Sequence, residues 1–434
     1  MNQRKAFLAY FFKAIKPFRY ALLKFIHESI DALPENSDVD MLIDETEKPA
    51  FLQIIRKGPG IERVRLHRKS FVTFVSIFFQ DGSYLEIDLI NRFDRKGAIY
   101  LDSAEVLDHA FEDATGLKRA AHHHNFEYIL LFYQLNSASV PERYRKYFAG
   151  FNFEQRTTIF THVTGKYKVN INVLDELFDM NTRFSKRIIS HVKGLSVNRF
   201  PFKQMHALRY WKDATGDLLN HRGITITFSG VDGAGKSTMI AEVESALQHK
   251  YRQKTVVLRH RPSLFPILSS FKHGKVEAEK KTRDRNPRQG TNTNTISSFL
   301  RFLYYYVDYL FGQYYIYFRY TLRGYTVLYD RYYFDFIIDS KRSNILLPKS
   351  LMKLGYLFIF KPQVNVFLFA PTEVIKSRKN ELSEEDINEL TSGYKNLFDE
   401  FGKSYSGQHY LVLNNINFDE TFKRVMKECV SATI

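Results

Sequence analysis

The chain has 434 residues, of which 44% are hydrophobic and 25% are charged. This length allows two or three domains that each bury a core, and the composition is that of a soluble globular protein, which sets fibrous and disordered classes aside. The formal net charge of +16 favours polyanionic partners without selecting among nucleic acid, nucleotides, phosphorylated glycans and anionic membranes. The single cysteine, Cys429, excludes an internal disulfide and fits a reducing, cytoplasmic location.

Two apolar stretches invite comparison with export and membrane signals. The first, residues 1–12, resembles a signal peptide faintly, but Lys13 and Lys16 interrupt it and no small-residue cleavage site follows, so we expect a surface or amphipathic helix. The second, residues 296–320, is crowded with aromatic side chains and broken by charges such as Asp308. We expect a helix packed inside a domain and no transmembrane segment, with a peripheral contact to lipid headgroups as the alternative.

Three aspartates fall on two predicted strands of the amino-terminal half. Asp38 and Asp40 alternate along residues 38–43, so their side chains share one face of an extended strand. Residues 71–79 and 84–90 predict two more strands joined by an Asp-Gly turn, and the second of them carries Asp88. Two paired carboxylates and a third on a neighbouring strand are suited to chelate Mg²⁺ against a nucleoside triphosphate.

The pattern Ser-Asp-Val-Asp at 37–40 with Asp88 resembles the acidic triad of the polymerase β-type nucleotidyltransferase superfamily, over roughly residues 18–110. The resemblance implies a mixed sheet in a domain 1–110, with Asp38, Asp40 and Asp88 as metal ligands. That family grips the triphosphate with a Gly-Ser pair before the acids, whereas this chain has His-Glu-Ser at 27–29. An active transferase, a degenerate binding or scaffolding domain and an unrelated acidic strand stay open as alternatives.

The segment from about residue 104 to 220 has helical periodicity and no sharp chemical motif. We treat residues 111–220 as a helical extension of the amino-terminal domain and begin the next domain at residue 221. His122, His123 and His124 invite a metal interpretation, but three adjacent side chains point in different directions and no Cys or carboxylate is spaced to complete a site. We therefore expect a solvated helix start at these histidines.

The strongest motif is a glycine-rich turn between an apolar strand and a helical pattern. Gly230, Gly235, Lys236 and Ser237 satisfy the spacing G-x-x-x-x-G-K-[ST], in which backbone N–H groups and a helix N-terminus cradle phosphates. The lysine can bridge the β- and γ-phosphates of ATP, and the serine hydroxyl can hold Mg²⁺. The predicted ATP-binding residues are Gly230, Gly233, Ala234, Gly235, Lys236, Ser237 and Thr238.

The carboxyl-terminal half predicts a parallel sheet. Short apolar runs at 255–258, 325–329, 364–370 and 410–413 alternate with helical stretches, which indicates helices on both faces of the sheet. Ligands of such sheets bind at the carboxyl ends of the strands, where Gly230, Arg261 and Asp330 fall. The polar, basic stretch 272–295 is either a loop that clamps an acidic acceptor or a lid or disordered segment.

Residues 222–434 resemble the thymidylate kinase family of P-loop kinases. Residues 228–238 match its P-loop, Asp-Arg-Tyr at 330–332 matches its Asp-Arg motif, residues 259–262 stand in place of Arg-Glu-Pro, and Arg-Lys at 378–379 lies in the lid helix. The resemblance implies catalytic roles for Lys236, Asp232, Asp330, Arg331 and Arg378. Asp330 would help to hold Mg²⁺ through water, and Arg378 would neutralise charge in the transition state.

The predicted acceptor pocket departs from that family. Asp335 replaces a serine, and Ile-Asp-Ser at 338–340 replaces residues that frame thymine. A hydroxyl acceptor needs a nearby carboxylate to take its proton, so this change favours an acceptor other than dTMP. The candidate acceptor-binding residues are Arg261, Arg331, Asp335 and Asp339. The same motifs resemble a divergent thymidylate kinase-like branch, some members of which are fused to nucleotidyltransferase-like domains and associated with bacterial surface-polysaccharide synthesis.

The leading hypothesis is a Mg-ATP-dependent phosphotransferase acting on a sugar, a glycan end or a phosphorylated intermediate, an anionic or hydroxyl acceptor. A nucleoside monophosphate kinase for dTMP or dUMP and a non-catalytic protein that uses ATP as a switch are the alternatives. Nucleic acid is not the expected partner, because no aromatic-plus-basic repeat or helix-turn-helix pattern is present. A two-step enzyme and a homodimer also stay open.

Overall fold

The computed structural model describes residues 2–179, 183–220, 222–259, 261–262, 294–379 and 381–432. The chain divides into two compact units, Met1–Gly216 and Asp217–Ile434, called unit 1 and unit 2 below. Most of the basic stretch predicted at 272–295 lies outside the described residues, so both interpretations of it stay predictions.

Unit 1 contains a seven-stranded mixed sheet with the strand order β3-β4-β5-β2-β1-β9-β8, and a separate β6-β7 hairpin. Its strands are β1 Tyr20–Leu23, β2 Val39–Ile43, β3 Ile61–Arg68, β4 Val72–Phe79, β5 Tyr84–Ile90, β6 Asp94–Arg95, β7 Ala98–Ile99, β8 Phe111–Glu112 and β9 Lys118–Arg119. Strand β2 runs parallel to β5 and antiparallel to β1. This mixed sheet agrees with the fold class predicted from the sequence.

Helices cover both faces of this sheet. They are α1 Gln3–Ala14, α2 Lys48–Arg56, α3 Ser103–Asp108, α4 His122–Leu135, α5 Glu142–Ala149, α6 Phe153–Tyr167, α7 Arg183–Gly194 and α8 Phe202–Asn220, the last of which extends past the unit boundary. Alternation along β1 sends Leu22 into a core shared with α1 and α2, and Leu23 into a core shared with α4 to α7. Two separate hydrophobic cores therefore fix the strands that carry Asp40 and Asp88.

The first helix is more deeply packed than the sequence indicated. Phe7 and Phe11 of α1 are fully buried, and the guanidinium of Arg4 is buried while it donates hydrogen bonds to carbonyl oxygens of the loop before β2, including that of Pro34 at 2.8 Å. We expected a surface or amphipathic helix. The buried residues recur every three or four positions, so α1 is amphipathic as expected, and its apolar face is part of the core because the sheet supplies a matching apolar surface.

Unit 2 contains a five-stranded sheet in which every pairing is parallel, with the order β11-β12-β10-β13-β14. The strands are β10 Thr225–Ser229, β11 Lys254–Arg259, β12 Tyr325–Asp330, β13 Val364–Phe369 and β14 His409–Asn414. All five lie where the apolar runs predicted them. The flanked parallel sheet is consistent with a P-loop kinase-like fold.

The helices of unit 2 lie on both faces of the sheet. They are α9 Lys236–Ser245, α10 Thr295–Arg319, α11 Phe334–Ile338, α12 Lys349–Tyr356, α13 Thr372–Arg378, α14 Glu384–Ser404 and α15 Phe418–Ala432. The aromatic stretch predicted at 296–320 is α10, which buries Phe302, Tyr309 and Ile316 in the core and exposes apolar side chains such as Phe311 on its other side. Within the described part of the chain, every helix is too short or too polar to cross a membrane.

Candidate functional site

The glycine-rich loop of unit 2 links β10 to α9 at the carboxyl edge of the parallel sheet. Gly230, Gly233 and Gly235 have φ values of 150°, 91° and 89°, a region that side chains with a Cβ rarely adopt. A Cβ on Gly230 would lie 2.3 Å from the carbonyl oxygen of Leu368 on β13. The loop therefore requires glycine for its backbone conformation and for its contact with the sheet.

Lys236, the first residue of α9, turns back over this loop. Its ammonium group donates to the carbonyl oxygens of Gly230 at 2.8 Å and Val231 at 3.0 Å, and lies 3.6 Å from Asp232. Burial and the charge of Arg331 lower the pKa of Lys236 to about 8. A buried lysine with this much electrostatic destabilisation is suited to bind a phosphate oxygen, which would return the pKa toward its ordinary value.

Asp232 is the centre of a charge network beside the loop. Its carboxylate accepts hydrogen bonds from Arg331 and, at 2.6 Å, from Arg342. Burial alone would raise the pKa of Asp232, but the charges of Arg331, Lys236 and Arg342 outweigh burial and hold the pKa below its ordinary range. Asp232 is therefore an ionised anchor for two arginines rather than a proton acceptor.

Arg331 joins this network to the predicted acceptor pocket. It follows the last residue of β12 with a left-handed φ of 76°, and its backbone N–H donates to the carbonyl of Phe228 at 2.8 Å. Its guanidinium donates to Asp335 at 2.8 Å, and the hydroxyl of Tyr394 donates to the other oxygen of Asp335 at 2.7 Å. Asp335 is only 2% exposed, and each of its oxygens accepts a hydrogen bond, one from Arg331 and one from Tyr394. This arrangement weighs against the role of proton acceptor that the sequence favoured for Asp335.

Arg378 reaches the glycine-rich loop from α13. Its guanidinium lies 3.4 Å from the carbonyl oxygen of Gly233, and the arginine is exposed. Asn415, which follows β14, donates its amide to the carbonyl of Ala234 at 2.9 Å and is buried. The loop is thus held by the buried amide of Asn415 and contacted by the exposed, cationic side chain of Arg378.

The other predicted residues of unit 2 lie at the same edge of the sheet. Asp330 ends β12, opposite Phe228 in the register of the strands, and its charge acts on Lys236. Ser237 is exposed on the first turn of α9. Arg261 is buried and donates to the buried Asp308 of α10 at 2.8 Å, while Asp339 is buried at the end of α11. A serine hydroxyl and a carboxylate at this edge are a donor set that fits Mg²⁺.

Unit 1 brings its three predicted aspartates together. Asp40 on β2 lies directly opposite Asp88 on β5, and Asp38 immediately precedes β2. One oxygen from each carboxylate lies within 4.8 Å of the others. One oxygen of Asp88 is buried without a hydrogen-bond partner, and burial followed by the charge of Asp40 raises its pKa. Three oxygen ligands with an unpaired buried oxygen fit a divalent cation such as Mg²⁺.

A lysine already approaches this acidic group. The ammonium of Lys24 lies 3.4 Å from Asp40 and 3.6 Å from the ring centre of Phe132 on α4. Lys24 has a left-handed φ of 51°, and its backbone N–H donates to the side chain of Asn125 at 2.9 Å. Residues 24–38, all of which are described, form loops and turns between β1 and β2.

Several residues of these sites were not predicted from the sequence. Tyr394 and Asn415 lie far along the chain from the loops that they hold, in a helix and after a strand without a motif of their own. Lys24 directly follows β1 and belongs to no sequence motif. Arg342 was visible in the motif that follows Asp339, but only its contact with Asp232 gives it a role. These residues are identified by contacts between distant parts of the chain and not by a local sequence pattern.

No protein-family model matches the chain, and no curated protein matches it. Among solved structures, the chain is similar to the thymidylate kinase from Ehrlichia chaffeensis, with 17% sequence identity and a TM-score of 0.32. The match covers 48% of this chain and 97% of that chain. A similarity with a TM-score this low shows no function for the chain.

Proposed function

We propose that unit 2 is a Mg-ATP-dependent phosphotransferase whose acceptor is an anionic molecule. Residues 338–340 differ from those that frame thymine in the thymidylate kinase family, which favours an acceptor other than dTMP. The observation that supports the phosphotransferase is the combination of a glycine-rich loop closed by Lys236 with a pair of arginines, Arg331 and Arg342, held by Asp232 beside that loop. Phosphoryl transfer depends on positioning and on the neutralisation of charge spread over the phosphoryl oxygens, and these groups provide both.

Each group of residues at this site has its own proposed role in binding ATP or in transferring the phosphoryl group. The backbone N–H groups from Gly230 to Thr238 and the N-terminus of α9 would bind the phosphates of ATP, with Lys236 turned from the loop carbonyls to the β- and γ-phosphates. Mg²⁺, held by Ser237 and through water by Asp330, supplies charge neutralisation to those phosphates when bound. Arg378, already at the loop, would neutralise the charge of the transferring group.

The engaged carboxylates favour an acceptor that is already ionised. Asp232 is held by arginines and Asp335 by Arg331 and Tyr394, so neither is placed to take a proton from a hydroxyl. A phosphate oxygen needs no such base and would be attracted by Arg331 and Arg342. A phosphorylated sugar or another phosphomonoester is the proposed acceptor. A role in surface-polysaccharide or nucleotide-sugar metabolism rests on the family resemblance alone.

The test combines binding with turnover. Thermal unfolding with Mg-ATP, and ADP release with a panel of phosphosugars, nucleoside monophosphates and neutral sugars, would be measured on the full chain. A ligand at a hundredfold excess over its dissociation constant stabilises the folded state by about 2.7 kcal/mol. Lys236→Ala should lower turnover at least about 100-fold, by analogy with other lost transition-state contacts. Lys353→Ala, which changes an exposed lysine paired with Glu400, is the matched control.

The outcomes separate the alternatives. Turnover of phosphosugars that disappears in Lys236→Ala supports the proposal. Efficient phosphorylation of dTMP or dUMP, at about 10⁴ M⁻¹s⁻¹ or above, would establish the nucleoside monophosphate kinase instead. Stabilisation by ATP without turnover of any acceptor would favour the ATP-switch alternative, and full activity in Lys236→Ala would contradict a phosphotransferase altogether.

A second candidate function concerns unit 1, where the opposed Asp40 and Asp88 favour a divalent-cation site for nucleotidyl transfer or nucleotide binding. Lys24 places one positive charge beside these acids. Mn²⁺ binding to the full chain would be followed by electron paramagnetic resonance in the wild type and in Asp88→Asn. Loss of bound Mn²⁺ in the variant, with unchanged binding in Asp81→Asn on the exposed β4-β5 turn, supports the site. Equal Mn²⁺ binding in all three proteins would remove it.

A further inference from the structure

Four histidines of unit 1 come together in the tertiary structure. His123 and His124 lie in the first turn of α4, His162 lies on α6, and His109 directly follows α3. The ring centres of His123 and His124 are 4.1 Å apart, and those of His123 and His162 are 4.6 Å apart. The ring centre of His124 lies 5.4 Å from His109 and 5.7 Å from His162. The proposed functions of the two units use none of these four residues, which we call the histidine cluster.

These distances match the spacing of imidazoles around one metal ion. Two rings that ligate a tetrahedral Zn²⁺ through bonds of about 2.0 Å have ring centres about 5 Å apart. The four shortest distances between ring centres in the histidine cluster run from 4.1 to 5.7 Å, two of them below 5 Å and two above it. The backbone of α3, α4 and α6 therefore places the side chains at the right separation for a shared ligand.

The hydrogen bonds of two of the rings follow the pattern of metal-binding histidines. Nδ1 of His109 lies 2.9 Å from the carbonyl oxygen of Glu105, and Nε2 of His162 lies 2.9 Å from the carboxylate of Glu127. Both partners accept hydrogen bonds, so each ring donates its N–H there and keeps a lone pair on its other nitrogen. Ligating histidines are usually oriented in this way by a carbonyl or carboxylate behind them.

His124 supplies an independent observation. It is 1% exposed, and neither of its ring nitrogens makes a hydrogen bond of ordinary length. Its Nε2 has only a long contact of 3.5 Å with the carboxylate of Glu105. An unpaired polar group at this depth is costly unless something binds it.

We propose that the histidine cluster binds one transition-metal ion of the Zn²⁺ type. Imidazole nitrogens suit Zn²⁺ and its neighbours, whereas the aspartates of unit 1 suit Mg²⁺, so the two groups of ligands select different cations. Among the described residues, only Asp38, Asp40 and Asp88 already bring three ligand atoms within 4.8 Å of one another. Binding at the histidine cluster therefore includes rotation of the His123 and His124 rings, while His109 and His162 keep the hydrogen bonds described above. The ion would cross-link the end of α3 to α4 and α6.

Cobalt substitution tests the geometry directly. The full chain, first treated with a chelator, would be titrated with Co²⁺, because a tetrahedral nitrogen site gives intense visible d–d bands while an octahedral oxygen site gives weak ones. We expect intense bands that saturate at about one equivalent per chain and disappear when Zn²⁺ is added. We also expect Zn²⁺ to raise the unfolding temperature by mass action.

Variants distinguish the histidine cluster from adventitious binding. His123→Gln, in a half-buried position, and His109→Gln, in an exposed one, should each abolish or strongly reduce the intense bands. His122→Gln is the matched control, because His122 contacts Phe151 and Gln155 instead of the histidine cluster. Circular dichroism would verify that each variant is folded. Weak bands alone in the folded wild type, or intense bands that survive both His123→Gln and His109→Gln, would overturn the proposal.

Discussion

Arg331 shows how a single residue organises the site of unit 2. A left-handed backbone at a residue other than glycine costs about 1–3 kcal/mol and persists only where its surroundings impose it. Here the positive φ turns the guanidinium from the end of β12 toward Asp232 and Asp335. Each carboxylate has a further donor, Arg342 on one side and Tyr394 on the other. The strain is therefore offset by a satisfied, buried charge network.

The first prediction concerns Asp335, the carboxylate that accepts a hydrogen bond from Arg331. Asp335→Ala leaves a buried guanidinium with one of its two acidic partners and should lower the free energy of unfolding by about 3–5 kcal/mol. Tyr394→Phe removes only a hydroxyl donor and should cost about 1–3 kcal/mol. Urea denaturation of both variants measures the difference. An Asp335→Ala protein as stable as the wild type would show that the network is not formed.

The second prediction concerns the pH dependence of stability at His123. Burial and the neighbouring histidines lower its pKa from 6.5 to about 4, so between these values the unfolded chain binds a proton that the folded chain does not. Stability should therefore decrease as the pH falls from 6.5 to 4 and show no further loss from this residue below that. In chelator-treated protein, His123→Gln should reduce this decrease in urea midpoints, and His249→Gln, which changes an exposed histidine, should not.

At the scale of elements, the glycine-rich loop is a short segment clamped by three others. Leu368 of β13 lies against Gly230, Asn415 after β14 bonds the loop carbonyl of Ala234, and Arg378 of α13 approaches Gly233. The loop connects a buried strand to a helix, and these contacts limit the conformations that its backbone can adopt. Preorganisation of this kind supports both binding and phosphoryl transfer.

A third prediction tests this clamping. Gly230→Ala introduces a Cβ 2.3 Å from a backbone oxygen at a φ of 150°, and the backbone strain alone should cost about 1–3 kcal/mol. We expect lower stability and loss of stabilisation by ATP. Gly407→Ala has no atom within 4 Å of the new Cβ, and its effect should stay within about 0.5 kcal/mol. Similar melting curves for the two variants, with and without Mg-ATP, would contradict the clamped loop.

At the scale of the whole molecule, the chain has two compact units with separate cores and different proposed ligands. Unit 1 offers carboxylates and imidazoles for cations, and unit 2 offers a phosphate loop with arginines. The net charge of +16 suits phosphorylated ligands of either unit. Two units with separate cores are expected to unfold in more than one transition.

The fourth prediction concerns the two units together. Calorimetry of the full chain should resolve two unfolding components, and Mg-ATP should shift one of them, because only molecules bound to the folded form of a unit stabilise it. Lys236→Ala should abolish that shift and leave the other component unchanged. A single component that moves as a whole with Mg-ATP in the wild type would show that the units unfold as one.

Local sequence determined the elements and the strongest motif. Period-two and period-3.6 apolar patterns are local properties, so they located all five strands of unit 2 and the strands that carry Asp40 and Asp88. The glycine-lysine spacing of the phosphate loop is local as well, and its residues lie together in the structure. The deep packing of α1 was not visible in this way, because the surface that covers Phe7 and Phe11 comes from β strands elsewhere in the chain.

Only the tertiary structure shows which charged and hydrogen-bonding side chains contact one another when they are distant in the sequence. It gave Asp335 two donors, one of them Tyr394 from 59 positions away, which changes an expected proton acceptor into a support for Arg331. A helix begins at His122 as expected, but its start is not fully solvated, since His124 is buried beside His109 and His162. Sequence spacing specifies neighbours along one strand or helix, whereas ion pairs and metal sites depend on contacts between elements, which only packing of the whole unit fixes.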